Sequence, residues 1–377
     1  MSADVPAHLQ LREVLGDIMP KHRATWGDSH EWAALLDFQT ALGAAGWAAP
    51  GWPVEYGGKG LSVEELTACA AEFYKARCPR QIAVFGTANV GPTIMVNGTA
   101  EQKKYLARML TAEDVWCQGF SEPDFGSDLA GLKTKAEIDG DEFVINGAKI
   151  WTSVGLNATH CMLLVRTDPD APKHKGISAL LIRLDLPGID RRPIKQLNGL
   201  SEFAEMHFDN VRVPRSALLG PLHAGWGVTM NTLGFERSGV LAMAGQLADE
   251  VAEVTAPGRF DDATAPVRQE AMHLYSAALI LSWMGERSLS DVSPEGVPGP
   301  LSTLIKLAWS KLAMRLGEFR VDHAGIAAVA GAQGETAEAA DAFLMARSAG
   351  IAGGTTEVLK NLIAERALGM PKEPGLR

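Results

Sequence analysis

The stretch Lys133-Thr134-Lys135-Ala136-Glu137-Ile138-Asp139-Gly140-Asp141-Glu142-Phe143-Val144-Ile145-Asn146-Gly147-Ala148-Lys149-Ile150-Trp151 reads as two strands joined at Asp139-Gly140. Asp-Gly between strand-like runs is a strong hairpin signal, because glycine takes the positive φ of a tight turn without steric cost. Further strand-like runs follow at Cys161–Thr167, Ile177–Ile182 and Ala204–Val213. They define a strand-rich middle region, residues 113–218, long enough for a small barrel of about seven or eight strands.

On either side the period changes. Residues 1–112 read helical, with Leu35, Phe38, Leu42 and Trp47 recurring at helical intervals. Turn formers from Pro50-Gly51-Trp52-Pro53 through Tyr56-Gly57-Gly58-Lys59-Gly60 interrupt them. Ser62 with Glu65, and Thr99 with Gln102, have the spacing of capping boxes, in which each side chain satisfies a free N–H at a helix start. In residues 219–377, apolar residues return at three and four spacing over 226–254, 266–291, 301–331 and 335–368, the pattern of a four-helix bundle. Asp291 to Pro300 reads as a loop, with three prolines and two glycines. The expected class is α+β: an N-terminal helical domain, a middle β-barrel domain and a C-terminal four-helix bundle.

With 46% apolar and 21% charged residues, the 377-residue chain has the balance of a globular enzyme. A formal net charge of −10 argues against nucleic-acid binding, which needs Lys and Arg to neutralise phosphates. No run approaches the roughly 18 apolar residues of a membrane span. Residues Met1 to Arg12 lack a basic segment followed by an apolar one, so a cytoplasmic protein is expected. Cys69, Cys78, Cys117 and Cys161 form no CxxC pair and have no metal-ligand spacing with histidine, which predicts reduced structural thiols and no metal.

Four segments carry candidate chemistry. Phe120-Ser121-Glu122-Pro123-Asp124-Phe125-Gly126-Ser127-Asp128 leaves a strand as a loop, offering hydroxyls and amides to a heterocycle or a pyrophosphate. Asn146-Gly147-Ala148-Lys149-Ile150-Trp151-Thr152-Ser153 ends a strand in an aromatic residue and two hydroxyls. Leu233-Gly234-Phe235-Glu236-Arg237-Ser238-Gly239 places a carboxylate on a helix. Ile351-Ala352-Gly353-Gly354-Thr355-Thr356-Glu357-Val358 puts two glycines before a helix, suiting a tight turn with free N–H groups beside a ligand.

Together these segments resemble the acyl-CoA dehydrogenase family of flavoenzymes, over nearly the whole chain. The resemblance implies FAD, held by Phe120, Ser121, Gly126, Ser127, Trp151, Thr152, Ser153, Thr355 and Glu357. In the family, Ser121 would face the pyrimidine edge, Trp151 would pack on the flavin and the Ser153 hydroxyl would bond near N5. Ser127 would lie near both phosphates and thioester. Most of the family carries its catalytic glutamate at the position of Gly353, which can take no proton. A minority carries it at the position of Glu236. The resemblance therefore makes Glu236 the base, with the Gly353 N–H still polarising the thioester carbonyl. Arg237 either orders the substrate end of the site or pairs with a neighbour.

Two usual family segments do not match. The Arg-Gln-Phe-Gly-type stretch has only Gly258-Arg259-Phe260 to Val267-Arg268-Gln269 near its place, and the Gln and Gly-Gly-x-Gly stretch only Ala328 to Gly334. Both serve a neighbouring subunit's FAD. The pattern resembles the catalytic halves of heteromeric dehydrogenases of bacterial steroid side chains. It implies a bulky, branched or steroid-derived acyl-CoA, a homologous second subunit or else a homo-oligomer, and an electron-transfer flavoprotein as acceptor. A flavin oxidase or monooxygenase on the same fold, and a non-catalytic CoA-binding subunit, are the alternatives.

Overall fold

The structure, a computed structural model, describes residues 5–289, 301–330 and 334–372, with the side chains of residues 236–242, Leu289, Glu335 and Thr336 outside the description. The chain divides into two compact units, residues 1–236 and 237–377.

The first unit opens with α1 (Ala7–Trp26), α2 (Trp32–Ala44), α3 (Val63–Lys75), α4 (Gly91–Asn97) and α5 (Tyr105–Leu110). Leu11, Leu15 and Met19 of α1 pack on Phe38, Leu42 and Trp47. Both capping boxes form. The Ser62 hydroxyl accepts from Glu65 N at 3.2 Å while the Glu65 carboxylate accepts from Ser62 N at 2.8 Å. Thr99 and Gln102 repeat the exchange at 3.2 and 3.0 Å.

The strands follow: β1 (Trp116–Gly119), β2 (Lys135–Asp139), β3 (Glu142–Ser153), β4 (His160–Arg166), β5 (Ile177–Arg183), β6 (Ile189–Ile194), β7 (Phe203–Pro214) and β8 (Leu218–Leu219). Asp139 pairs with Glu142 across a two-residue turn in which Gly140 takes φ +59°, as the Asp-Gly signal requires. The order is β6-β7-β3-β2-β4-β5-β8, with β1 parallel to β4.

The expected barrel does not close. A barrel needs its first and last strands to pair in staggered register. Here β6 ends the sheet with Asp190, Arg191, Arg192 and the N–H-less Pro193, a charged edge that resists pairing. At the other end β8 has two residues. The halves of the sheet meet through one residue pair, Lys135 with Arg166.

Helix α6 (Gly225–Val254) begins in the first unit and continues in the second, joined there by α7 (Ala265–Leu289), α8 (Leu301–Ala324), α9 (Ile326–Val329), α10 (Glu335–Ala349) and α11 (Thr356–Leu362). Two expected helices are broken. The 301–331 run stops before Gly325, at φ +63°, and the 335–368 run stops at Gly350, ahead of Gly353 at φ +65° and Gly354 at φ +104°. The Asp291–Pro300 loop lies outside the described residues. Helices α8 and α10 approach closely at Gly317, where an added Cβ would sit 3.0 Å from Phe343 Cα.

Candidate active site

The loop after β1 is fastened from inside. The Glu122–Phe125 turn closes by reciprocal backbone bonds of 3.1 and 3.0 Å. The Glu122 carboxylate turns inward and accepts from Lys133 N at 2.7 Å, Thr134 N at 2.8 Å and Lys149 Nζ at 2.9 Å. Lys149, on β3, is fully buried and also donates to the Phe120 carbonyl at 3.0 Å. Ile150 N donates to the Ser121 carbonyl at 2.9 Å. One lysine and one strand thus hold the chain on both sides of Ser121.

Burial pushes the Glu122 carboxyl up, but the Lys149 charge and the hydrogen bonds outweigh it, leaving Glu122 below its ordinary value. Burial lowers Lys149, against the pull of Glu122. Arg166 secures the rest of the loop by donating to the carbonyls of Ala130, Leu132, Lys173 and Lys175.

The second motif sits at a break in the β3–β7 ladder. Lys149 pairs with Met206 and Thr152 with Ala204, so β3 carries one residue more than β7 across this step. Such a bulge re-aims side chains. Trp151 takes φ +59° and is 56% exposed, its ring edge-on to Phe203 at 5.9 Å. Val154, three residues on, takes φ +52°. Left-handed backbone at a tryptophan and a β-branched valine costs on the order of 1–3 kcal/mol each and concentrates at functional sites. The Val154 turn is held through Val154 N to the Glu202 carbonyl at 3.0 Å.

Three hydroxyls around this bulge find no hydrogen-bond partner among the described residues. Those of Ser121 and Ser153 are partly exposed, while Thr152 Oγ1 is buried. A buried hydroxyl without a bond costs roughly 1–3 kcal/mol. Gly126 and Ser127 lie exposed at the loop tip, and Phe120 is partly buried against an apolar cluster that includes Trp52 and Leu132. Gly147 cannot be replaced cheaply: at φ +149° its Cβ would lie 2.7 Å from Thr134 Cα. The first unit therefore joins an exposed indole to unpaired hydroxyls on strained, fastened backbone.

In the second unit, the turn between α10 and α11 is built from its carbonyls. Ser348 O accepts from Ile351 N and Ala352 N, both at 2.9 Å, and Gly350 O accepts from Thr356 N at 3.1 Å. Lys306, buried on α8, donates to Ala349 O at 2.8 Å and Gly354 O at 3.1 Å. Thr355 caps α11 by accepting from Val358 N at 3.2 Å, and Glu357 is exposed in the first turn of that helix. The exposed Gly353 N–H has no backbone partner among the described residues.

Glu236 and Arg237 lie within α6, and their side chains fall outside the described residues. Sequence reasoning missed Lys149, Arg166 and Lys306. The signal was present for two of them. Lys149 occupies an inward position of β3 with Phe143 and Ile145, and Lys306 lies among the buried Ser302, Ile305 and Ser310 of α8. A lysine on a buried face must find acceptors.

Residues 7–113, 117–211 and 223–368 match the N-terminal, middle and C-terminal domain families of acyl-CoA dehydrogenases. The chain is similar to acyl-CoA dehydrogenase IpdE1 of Mycobacterium tuberculosis, 38% identical over 342 residues, covering 88% of this chain and 87% of that one. A solved structure titled Tcur3481-Tcur3483 steroid ACAD superposes with TM-score 0.85 at 30% identity, covering 99% of this chain and 100% of that one. The ChsE4-ChsE5 complex from Mycobacterium tuberculosis gives TM-score 0.82 at 29% identity over 99% of this chain and 100% of that one.

Proposed function

This chain belongs to the acyl-CoA dehydrogenase family, and we propose that it oxidises a bulky, branched or steroid-derived acyl-CoA with Glu236 as its base. Its relatives make it an acyl-CoA dehydrogenase of the three-domain fold. The observation that carries the assignment of the base is residue 353. A glycine whose N–H has no backbone partner among the described residues stands where most of the family has its carboxylate, so the donor is kept and the base is not.

FAD is the general cofactor of the family, and the residues of the first unit suit it. The exposed Trp151 ring offers a face to a planar heterocycle, and Ser121, Thr152 and Ser153 have hydrogen-bonding capacity that the protein leaves unused. Phe120, Gly126 and Ser127 are assigned the remainder of that contact, and Thr355 and Glu357 carry the same assignment from the sequence match. When bound, FAD supplies the acceptor for a hydride.

The chain's own work is on the proton. Glu236 takes the α-proton, and that electron pair becomes the double bond as the β-hydrogen leaves with its own pair. The α-C–H is too weak an acid for a carboxylate in water. The Gly353 N–H, bonded to the thioester carbonyl, stabilises the charge that develops there, an effect worth about 10²–10³ in rate for one such donor. A positioned base adds roughly 10²–10⁴. Ser127 and Arg237 are assigned to substrate binding.

A homologous second subunit fits the outer face of α7. Ala271, Leu274, Ala278 and Leu281 are buried, while Met272, Tyr275, Ile280 and Trp283 are exposed on the other side. An exposed apolar stripe of this kind marks an interaction surface. The titles of the solved relatives named above each pair two different proteins, and one calls the pair a complex. An electron-transfer flavoprotein is the proposed acceptor. Among the described residues, no helix is long and apolar enough to cross a membrane.

Anaerobic titration of the FAD-loaded protein with short, long, branched and steroid-derived acyl-CoAs tests the reading. Bleaching of the flavin by a bulky class supports it. Bleaching by straight chains alone, or by none, contradicts it.

A further inference from the structure

We propose that Lys306 is a positioning residue, whose buried ammonium sets the backbone turn that presents the Gly353 N–H to the substrate. The proposal rests on the reading above that this N–H polarises the thioester carbonyl.

A helix leaves its last four carbonyls without intrahelical partners. At the end of α10, Ser348 O is satisfied by the Ile351 and Ala352 N–H groups, and Gly350 O by Thr356 N. Among the described residues, the Ala349 carbonyl has no such backbone donor. It points to the same buried spot as the Gly354 carbonyl, five residues further on, and Lys306 Nζ lies 2.8 and 3.1 Å from the two oxygens. Two carbonyl dipoles with their negative ends converging repel each other unless a cation sits between them. The C-terminal end of a helix favours that cation further.

The consequence falls on Gly353. Ala352 N–H is anchored to Ser348 O on one side, and the Gly354 carbonyl is anchored to Lys306 on the other. Between them lie two glycines at φ +65° and +104°, residues with the widest backbone freedom and no side chain to fix them. Lys306 is therefore the side-chain restraint, among the described residues, that holds the carbonyl next to the Gly353 N–H. A hydrogen bond to a developing oxyanion loses its value with small misalignment, and displacement by about 1 Å can cost 10²-fold in rate.

The test uses the full-length, FAD-loaded protein, with its partner subunit where one copurifies, and Lys306→Met, which keeps an unbranched side chain one atom shorter and removes the charge. The probe is 2-methylbut-2-enoyl-CoA carrying 13C at the thioester carbonyl, followed by isotope-edited infrared spectroscopy at saturating concentration. The unmodified protein is expected to lower the carbonyl stretch. Lys306→Met is expected to retain less than about half of that shift, with kcat roughly tenfold lower and KM changed much less. An equal carbonyl shift in Lys306→Met overturns the role of Lys306. No shift in the unmodified protein instead overturns the underlying role of the Gly353 N–H. If Lys306→Met does not fold, Lys306→Gln, which keeps a donor, is measured in its place and is expected to give a reduced shift. Failure of both variants to fold would assign Lys306 to stability alone and also overturn the proposal.

Discussion

The Glu122 carboxylate and the Lys149 ammonium lie 2.9 Å apart with both side chains almost completely sealed from solvent, and each also holds backbone of the loop that presents Ser121. Breaking one side of such a pair leaves an uncompensated buried charge, which costs about 3–5 kcal/mol. Lys149→Met is therefore expected to lower unfolding stability by that order in urea titration, and to weaken FAD binding because the Phe120 and Ser121 backbone loses its anchor. The double variant Glu122→Gln with Lys149→Met is expected to recover part of the stability, since no charge is then stranded. A double variant less stable than Lys149→Met would contradict this account of the pair.

Trp151 separates stability from function. Its left-handed backbone is strained, and its exposed ring buries little area. Trp151→Gly relieves the strain and is expected to leave the melting temperature of the FAD-free protein unchanged or raised, by up to about 1 kcal/mol equivalent. FAD affinity, read by fluorescence quenching, is expected to fall by more than tenfold, the scale of one lost aromatic contact of roughly 1.5 kcal/mol. A large fall in stability with FAD affinity intact would refute both halves.

Acid sensitivity is expected to reside partly at Glu72. The Arg12 guanidinium grips this buried carboxylate at 2.7 and 2.9 Å, and with Lys75 it pulls the carboxyl down to about 2 against the opposing effect of burial. Because the folded value lies below the unfolded one, the unfolded chain binds the extra proton. The contribution is complete above the ordinary value of 4.5 and disappears as pH falls towards 2. Arg12 is mostly exposed, so solvent screening keeps the contribution small. Glu72→Gln is expected to be less stable at pH 7 and to show a shallower loss between pH 5 and 2, as urea midpoints across that range would reveal. An unchanged slope would remove Glu72 from the explanation.

The α7 stripe makes a prediction about assembly. Trp283→Glu with Tyr275→Glu places charges on an already exposed face, so secondary structure by circular dichroism is expected to stay the same. The oligomeric mass by light scattering, measured with the homologous subunit present, is expected to drop. Retention of the full assembly would take the stripe out of the interface.

Local signals were legible in the sequence. Asp139-Gly140 and both capping boxes depend on residues a few positions apart, and all three form. The helix–strand–helix order follows from periodicity. What was not legible depends on distant partners. Strand β6 reads Ile-Asp-Arg-Arg-Pro-Ile, without alternating hydrophobicity, because it is an exposed edge. The left-handed backbone of Trp151 arises from the register between β3 and β7, which no short window contains. The runs 301–331 and 335–368 looked continuous because their apolar spacing continues through Gly325 and Gly350, where the backbone turns. At the candidate site, residue types could be placed on motifs and lysines on buried faces, but the acceptors of Lys149 and Lys306 appear only once β3 meets the β1 loop and α8 meets the α10–α11 turn.

The central claim is that Glu236 is the base. The most direct measurement is anaerobic single-turnover reduction of the flavin by an acyl-CoA that bleaches the unmodified protein, repeated with Glu236→Gln and with Glu236→Gln plus Gly353→Glu. Glu236→Gln is expected to bind FAD normally and to reduce it about 10²- to 10⁴-fold more slowly. The added Gly353→Glu is expected to restore part of the rate, offset by the strain of a glutamate at a φ of +65°. Flavin reduction by Glu236→Gln at the unmodified rate would contradict the account.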